Sequence, residues 1–167
     1  KNKKEKCYNH SMIFGQLLTG SNYDDEEERV ISGRNGLGVK LCNVFSTYFC
    51  VKGQDPNNNK KLTQEWTNNM KDTEGPVVKT SKDVTTGFTE ISWIPDFERF
   101  GIKKYTRDVI NLYTRFVIDA AMLTKINIYL NDELIPVKSL SEYSNLYSAP
   151  TDEKLHIKTK DCEVMLT

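Results

Sequence analysis

The sequence predicts an α+β domain: a two-layer α/β sandwich in which helices cover one face of a mixed sheet. Two observations carry this. Segments with helical and strand-like patterns follow the order helix, loop, helix, several strands, long helix, more strands, which lacks the strict βα alternation of a doubly wound sheet. The length, 167 residues, suits one domain over residues 1–167 with no second, and suffices to bury a core.

Ser11 opens the first helical segment as its expected cap, and Met12, Ile13, Leu17 and Leu18 supply an apolar side. Thr19, Gly20, Ser21 and Asn22 stop it. Gly20 suits the helix C-terminus, while Ser21 and Asn22 bring donors and acceptors that serve either local capping or a ligand. Residues Tyr23 to Arg29 are too charged for burial and lack the spacing of a calcium loop. They read as a solvated turn, or as a flap in which the backbone matters more than the carboxylates. Leu37, Leu41, Val44 and Phe45 recur at three and four residues, which predicts a buried helix over 37–47.

Tyr48 to Val51 is short, aromatic and β-branched, and predicts a strand; Asp55-Pro56-Asn57-Asn58-Asn59 is a turn, and Lys61 to Trp66 returns as its hairpin partner. Gly75-Pro76 and residues 81–86 punctuate the next stretch. Phe88 to Ile94 is a strong strand ended by Pro95. Val109, Leu112, Tyr113, Phe116, Val117 and Ala120 share one face of a helix over 105–123. Asn131-Asp132 joins a second hairpin of residues 125–130 and 133–137. A short helix over 140–146 and two strand-like pieces, 156–158 and 164–166, complete the chain.

Lys and Arg number 23 and so do Asp and Glu, so the net charge is zero and points to neither nucleic acid nor membrane. No apolar run approaches a membrane span, and the chain reads as soluble and intracellular. The four cysteines are scattered without a CxxC pair and read as reduced thiols. Cys7 and His10 have the spacing of half a zinc site with no second half, so no metal site is expected.

The richest stretch is Ser32-Gly33-Arg34-Asn35-Gly36-Leu37-Gly38-Val39-Lys40-Leu41. Glycines at 33, 36 and 38 permit a tight turn that aims N–H groups inward, and a helix start with Lys40 adds positive potential. The order GxxGxG is neither a P-loop, which needs GxxxxGK followed by Ser or Thr, nor the GxGxxG dinucleotide fingerprint. By itself the loop is either a phosphate cradle or a glycine-rich connection.

Met12-Ile13-Phe14-Gly15-Gln16-Leu17-Leu18-Thr19, Ser21-Asn22-Tyr23-Asp24-Asp25, Gly33-Arg34-Asn35-Gly36, Gly38, Lys40-Leu41-Cys42-Asn43 and Phe45-Ser46-Thr47 form a specific combination. It resembles the ATPase region of eukaryote-type type II DNA topoisomerases. The likeness continues through Trp66, Asn69-Met70, Pro95-Asp96, Phe100, Asp108 and Tyr129-Leu130-Asn131. The resemblance implies the GHKL (Bergerat) fold with its N-terminal part missing. It implies ATP contacts at Ser21, Asn22, Gly33, Arg34, Asn35, Gly36, Leu37, Gly38, Val39 and Lys40, the stretch from Gly33 forming a lid loop around the triphosphate. The sequence departs from the family at Gly20, where serine is usual, at Leu37, where tyrosine is frequent, and at Asn9-His10, where Val-Pro is usual.

The resemblance further implies an ATP-hydrolysing parent that passes one DNA duplex through another as a homodimer, with Mg2+ as cofactor and no membrane partner. It implies a nuclear location in a eukaryote, or otherwise an intracellular or viral one. The family's general-base glutamate, magnesium-binding asparagine and adenine-contacting aspartate are expected upstream of this chain, so no catalytic residue is expected within it. The switch lysine and the DNA-cleaving tyrosine are expected downstream. The alternative is a degenerate, non-hydrolysing nucleotide-binding or interaction module of the same fold.

Overall fold

The computed structural model describes residues 6–20, 26, 33 and 35–167. Contacts divide the chain into two units, Lys1–Lys103 and Lys104–Thr167.

The first unit is built on four strands, β1 (Ser46–Asp55), β2 (Lys60–Thr67), β3 (Val77–Thr80) and β4 (Phe88–Pro95), in the spatial order β3-β2-β1-β4. Two helices, α1 (Asn9–Gly15) and α2 (Gly38–Val44), accompany them. Helices with a sheet agree with the α+β expectation. Every strand pairing among the described residues is antiparallel, so the parallel pairing that a mixed sheet requires is not found within them.

Alternation along the strands decides which face is covered. Phe49 sits opposite Trp66, Val51 opposite Gln64 and Gly53 opposite Leu62, and all six are buried. Phe14 of α1 joins them, its ring 6.2 Å from Phe49, while Trp66 meets Phe49 edge-on at 5.9 Å. Phe14, Phe49, Val51, Leu62 and Trp66 form the core, with Val39 of α2 packed against it. Burial of these rings is the main stabilising term of the unit. On β4 the same face carries Ile91 and Trp93, which remain 38% and 46% exposed.

The turn over 55–59 forms as expected. Asp55 accepts from the backbone N–H of Asn58 at 3.3 Å and from its side-chain amide at 2.7 Å, and Asn59 takes the left-handed conformation at φ 52°. Ser11 does not cap α1. The helix begins two residues earlier after Tyr8, and the Ser11 hydroxyl instead donates to the buried Gln64 side chain at 2.5 Å. β3, between Pro76 and Ser81, had no strand expectation; it is a four-residue edge strand after a proline.

Asn69 pins the junction of α2 and β1. Its amide donates to the Val44 carbonyl and to Asp96, each at 3.0 Å, and its backbone N–H donates to the Ser46 carbonyl at 3.0 Å.

The second unit carries α3 (Arg107–Thr124), capped by the Thr106 hydroxyl accepting from the Val109 N–H at 3.3 Å. A hairpin of β5 (Tyr129–Leu130) and β6 (Glu133–Leu134) turns at Asn131-Asp132, whose φ angles of 50° and 67° suit a primed turn. α4 (Leu140–Ser144) starts at Ser139, and Glu142 answers by accepting from the Lys138 N–H at 2.7 Å. β7 (Leu155–Lys158) and β8 (Glu163–Leu166) form the last hairpin. No helix among the described residues is long and apolar enough to cross a membrane.

Candidate functional site

The glycine loop runs into α2. Gly33 and Gly36 have φ angles of 92° and 59°, in the left-handed region that favours glycine. At Gly36 contact adds to conformation: a Cβ there would lie 2.6 Å from the Gly20 nitrogen and 3.3 Å from the Thr19 carbonyl carbon. The loop is thus folded onto the segment that follows α1. Gly38 differs, because it is the first residue of α2 and a Cβ would meet nothing within 4 Å. The turn itself does not require glycine at 38.

α2 departs from its expected form. It spans Gly38–Val44 rather than 37–47, since Ser46 already pairs with β4. Its fully buried residues are polar: Lys40 is 3% exposed and Asn43 is fully buried, while Leu41 is 44% exposed. Asn43 donates to the Phe14 carbonyl at 3.0 Å, tying α2 to the end of α1. Its Oδ1 has no hydrogen-bond partner among the described residues. Lys40 reaches the same segment further on, where its Nζ donates to Thr19 Oγ1 at 2.8 Å.

A covered ammonium is costly unless an anion or several acceptors replace its water. Among the described residues no carboxylate pairs with Lys40. Burial therefore pushes its pKa below the ordinary lysine value, although the group lies close under the surface. Such a lysine beside a glycine turn suits a bound oxyanion.

Of the residues expected to contact ATP, the structure brings Gly36 and Lys40 together against Thr19 and Gly20, with Leu37 half-buried between them and Val39 turned to the core. Gly33, Asn35 and Gly38 lie exposed along the same loop. Ser21, Asn22 and Arg34, with Tyr23 and the acidic Asp24, Asp25, Glu27 and Glu28, lie outside the described residues. Thr19 and Asn43 belong to the site's framework and had no site expectation. Asn43 lies one turn beyond Lys40, the one signal that could have marked both as a shared face.

A hollow of about 730 Å³ lies elsewhere. Lys61, Thr63, Glu65, Thr73, Glu74 and Lys79 line it beside β2 and β3. No residue of the glycine loop reaches it, and its mixed charges give no focused chemistry.

Helices beside an antiparallel sheet, with a glycine turn and a covered lysine at one helix start, make up an α+β unit whose solved structural neighbours are GHKL ATPase regions. No family model matches the chain. Its sequence is 48% identical over 148 residues to DNA topoisomerase 2 of Invertebrate iridescent virus 6, covering 87% of this chain and 13% of that protein. It is 40% identical over 152 residues to DNA topoisomerase 2 of Saccharomyces cerevisiae, covering 90% of this chain and 11% of that protein. The crystal structure of the ATPase region of Saccharomyces cerevisiae topoisomerase II matches with a TM-score of 0.83 and 38% identity, over 94% of this chain and 42% of that one. By sequence and by fold the chain corresponds to the ATPase region of eukaryote-type type II DNA topoisomerases. It spans little more than a tenth of the curated relatives it matches.

Proposed function

We propose that this chain is the lid-bearing part of the ATP site of a type II DNA topoisomerase, which couples ATP hydrolysis to passage of one duplex through another. The observation that carries the reading is Lys40: a covered cation, held at 2.8 Å by a neutral hydroxyl, beside a turn in which Gly36 is already packed against backbone. A triphosphate supplies an anion that the described residues do not.

In this reading Gly33 to Lys40 follow the phosphates. Gly36 allows close backbone approach, Lys40 contacts phosphate oxygen, and Ser21, Asn22 and Arg34 complete the contacts by resemblance alone. Residues 1–167 serve as a portion of one ATPase domain. No catalytic base is assigned to this chain. The names of the relatives support ATP and DNA as partners; a homodimer, a nuclear or viral setting and Mg2+ rest on the family resemblance. Among the described residues no three His, Cys, Asp or Glu side chains come together to hold a metal, so no step is assigned to Mg2+ here.

The test is ATP binding, ATP turnover and DNA relaxation by the full-length protein, wild type and Lys40→Ala. Loss of ATP-dependent relaxation together with weakened ATP binding in the variant supports the reading. ATP binding unchanged by Lys40→Ala overturns it.

A further inference from the structure

We infer that Thr19 is a positioning residue for nucleotide binding, its hydroxyl fixing the direction of the Lys40 ammonium toward the glycine turn. The inference rests on the ATP-site reading above and adds a residue to it.

An ammonium has three donors and no acceptor. One is directed at Thr19 Oγ1, 2.8 Å away. Thr19 Oγ1 sits 3.4 Å from the Gln16 carbonyl, the end of a turn that closes α1, so the acceptor belongs to the first helical element rather than to α2. The anchor is therefore independent of the helix that carries Lys40.

A lysine side chain has four rotatable bonds and loses considerable rotamer entropy when ordered. A fixed acceptor at its tip bears that ordering cost before any ligand arrives, which is preorganisation. The Thr19 hydroxyl carries no charge, so it orients the cation without neutralising it, whereas an aspartate in its place would compete with phosphate. Gly36 lies against the carbonyl carbon of the same Thr19. The residue that orients the lysine is thus also the floor of the turn.

Valine removes the acceptor with little change of volume, and serine keeps it. In the full-length protein, Thr19→Val should raise the Kd for ATP by about three- to tenfold, the range of one lost hydrogen bond. Thr19→Ser should return it to within about twofold. Adenosine, which carries no phosphate, should bind all three forms equally. In a Lys40→Ala background, Thr19→Val should cost nothing further, because the two residues act as one unit.

Equal losses for ATP and adenosine in Thr19→Val, or no rescue by serine, would show that Thr19 only supports the fold and would overturn the inference. A full additional loss in the Lys40→Ala background would overturn it as well. Two outcomes keep its failure distinct from that of the function reading. If Lys40→Ala weakens ATP binding while Thr19→Val does not, the inference alone fails; if Lys40→Ala has no effect, the ATP-site reading fails first.

Discussion

Two hydroxyl contacts, one in each unit, look alike and act in opposite senses. In the first unit Thr19 Oγ1 accepts from the Lys40 ammonium at 2.8 Å; in the second the Tyr143 hydroxyl donates to Asp119 Oδ1 at 2.6 Å. Around Asp119 the charge is answered several times over. Arg115 approaches its other oxygen at 3.8 Å and lies over the Tyr147 ring, and Tyr147 also meets Tyr143, oxygen to oxygen at 3.2 Å. Lys40 has one hydroxyl among the described residues and is covered. The carboxylate cluster is complete and clips α4 to α3. Among the described residues the lysine is left short of negative charge, and the proposed anion site rests on that contrast.

The largest break in this comparison comes from Gly36. Gly36→Val forces a β-branched residue into a left-handed conformation and drives its Cβ into the Gly20 backbone, which cannot yield as a side chain would. The lysine's surroundings collapse, and nucleotide binding by the full-length protein should be lost, beyond about a hundredfold in Kd. Gly38→Ala, placed where a Cβ meets nothing, should leave the melting temperature unchanged. Any loss of ATP affinity in that variant measures backbone approach to the ligand alone. If Gly36→Val binds ATP normally, the packed turn is not part of the site.

Lys40→Ala is next in size. Removing a charge-assisted contact from a partly desolvated site is typically worth about 1.5 to 3 kcal/mol, or roughly ten- to a hundredfold in affinity. The loss should appear for ATP and be nearly absent for adenosine, as read by titration of both ligands. The matching change in the second unit, Tyr143→Phe, should leave both affinities alone and lower stability by only about 0.5 to 1 kcal/mol, since the contact is near solvent. Equal losses for both ligands in Lys40→Ala would remove the contrast between the two contacts.

Much of the scaffold was legible because it follows local rules. The long helix α3 announces itself by apolar periodicity, the β5-β6 hairpin by Asn131-Asp132, and the β1-β2 turn by Asp55-Pro56. β1 was read short, at Tyr48 to Val51. Its continuation through Lys52, Gly53 and Gln54 is held by pairing with strands on both sides, which no local pattern reveals. The site was legible as a glycine loop with a lysine, but the two residues that α2 buries deepest are polar, while Leu37, Val44 and Phe45 of the expected face are half-buried and Leu41 is exposed. Apolar spacing assigns burial to Leu41, whereas Asn43 and Lys40 are held inside by the Phe14 carbonyl and the Thr19 hydroxyl. Those partners lie 29 and 21 residues away in the chain, so the cause of their burial is tertiary.

The finest test sets the two contacts against pH, where their slopes should have opposite signs. Burial holds the Lys40 pKa below the ordinary 10.5, so between the folded value and 10.5 the unfolded chain binds more protons than the folded one. Stability from this group therefore rises with pH across that window, as the covered charge is discharged. Tyr143 is pushed up from 10.0 to about 12, first by its hydrogen bond to Asp119. Between pH 10 and 12 the folded chain holds the extra proton, and the stabilisation, complete below pH 10, is lost as pH climbs. In the nucleotide-free protein, the stability of wild type relative to Lys40→Met should thus improve as pH approaches 10.5. Relative to Tyr143→Phe it should decline above pH 10. Thermal melts of the three proteins across pH 8 to 12 measure both differences, in which all shared titrations cancel. Parallel slopes would mean that Lys40 has a negative partner in the unliganded protein, and the charge deficit that distinguishes its environment from that of Asp119 would not exist.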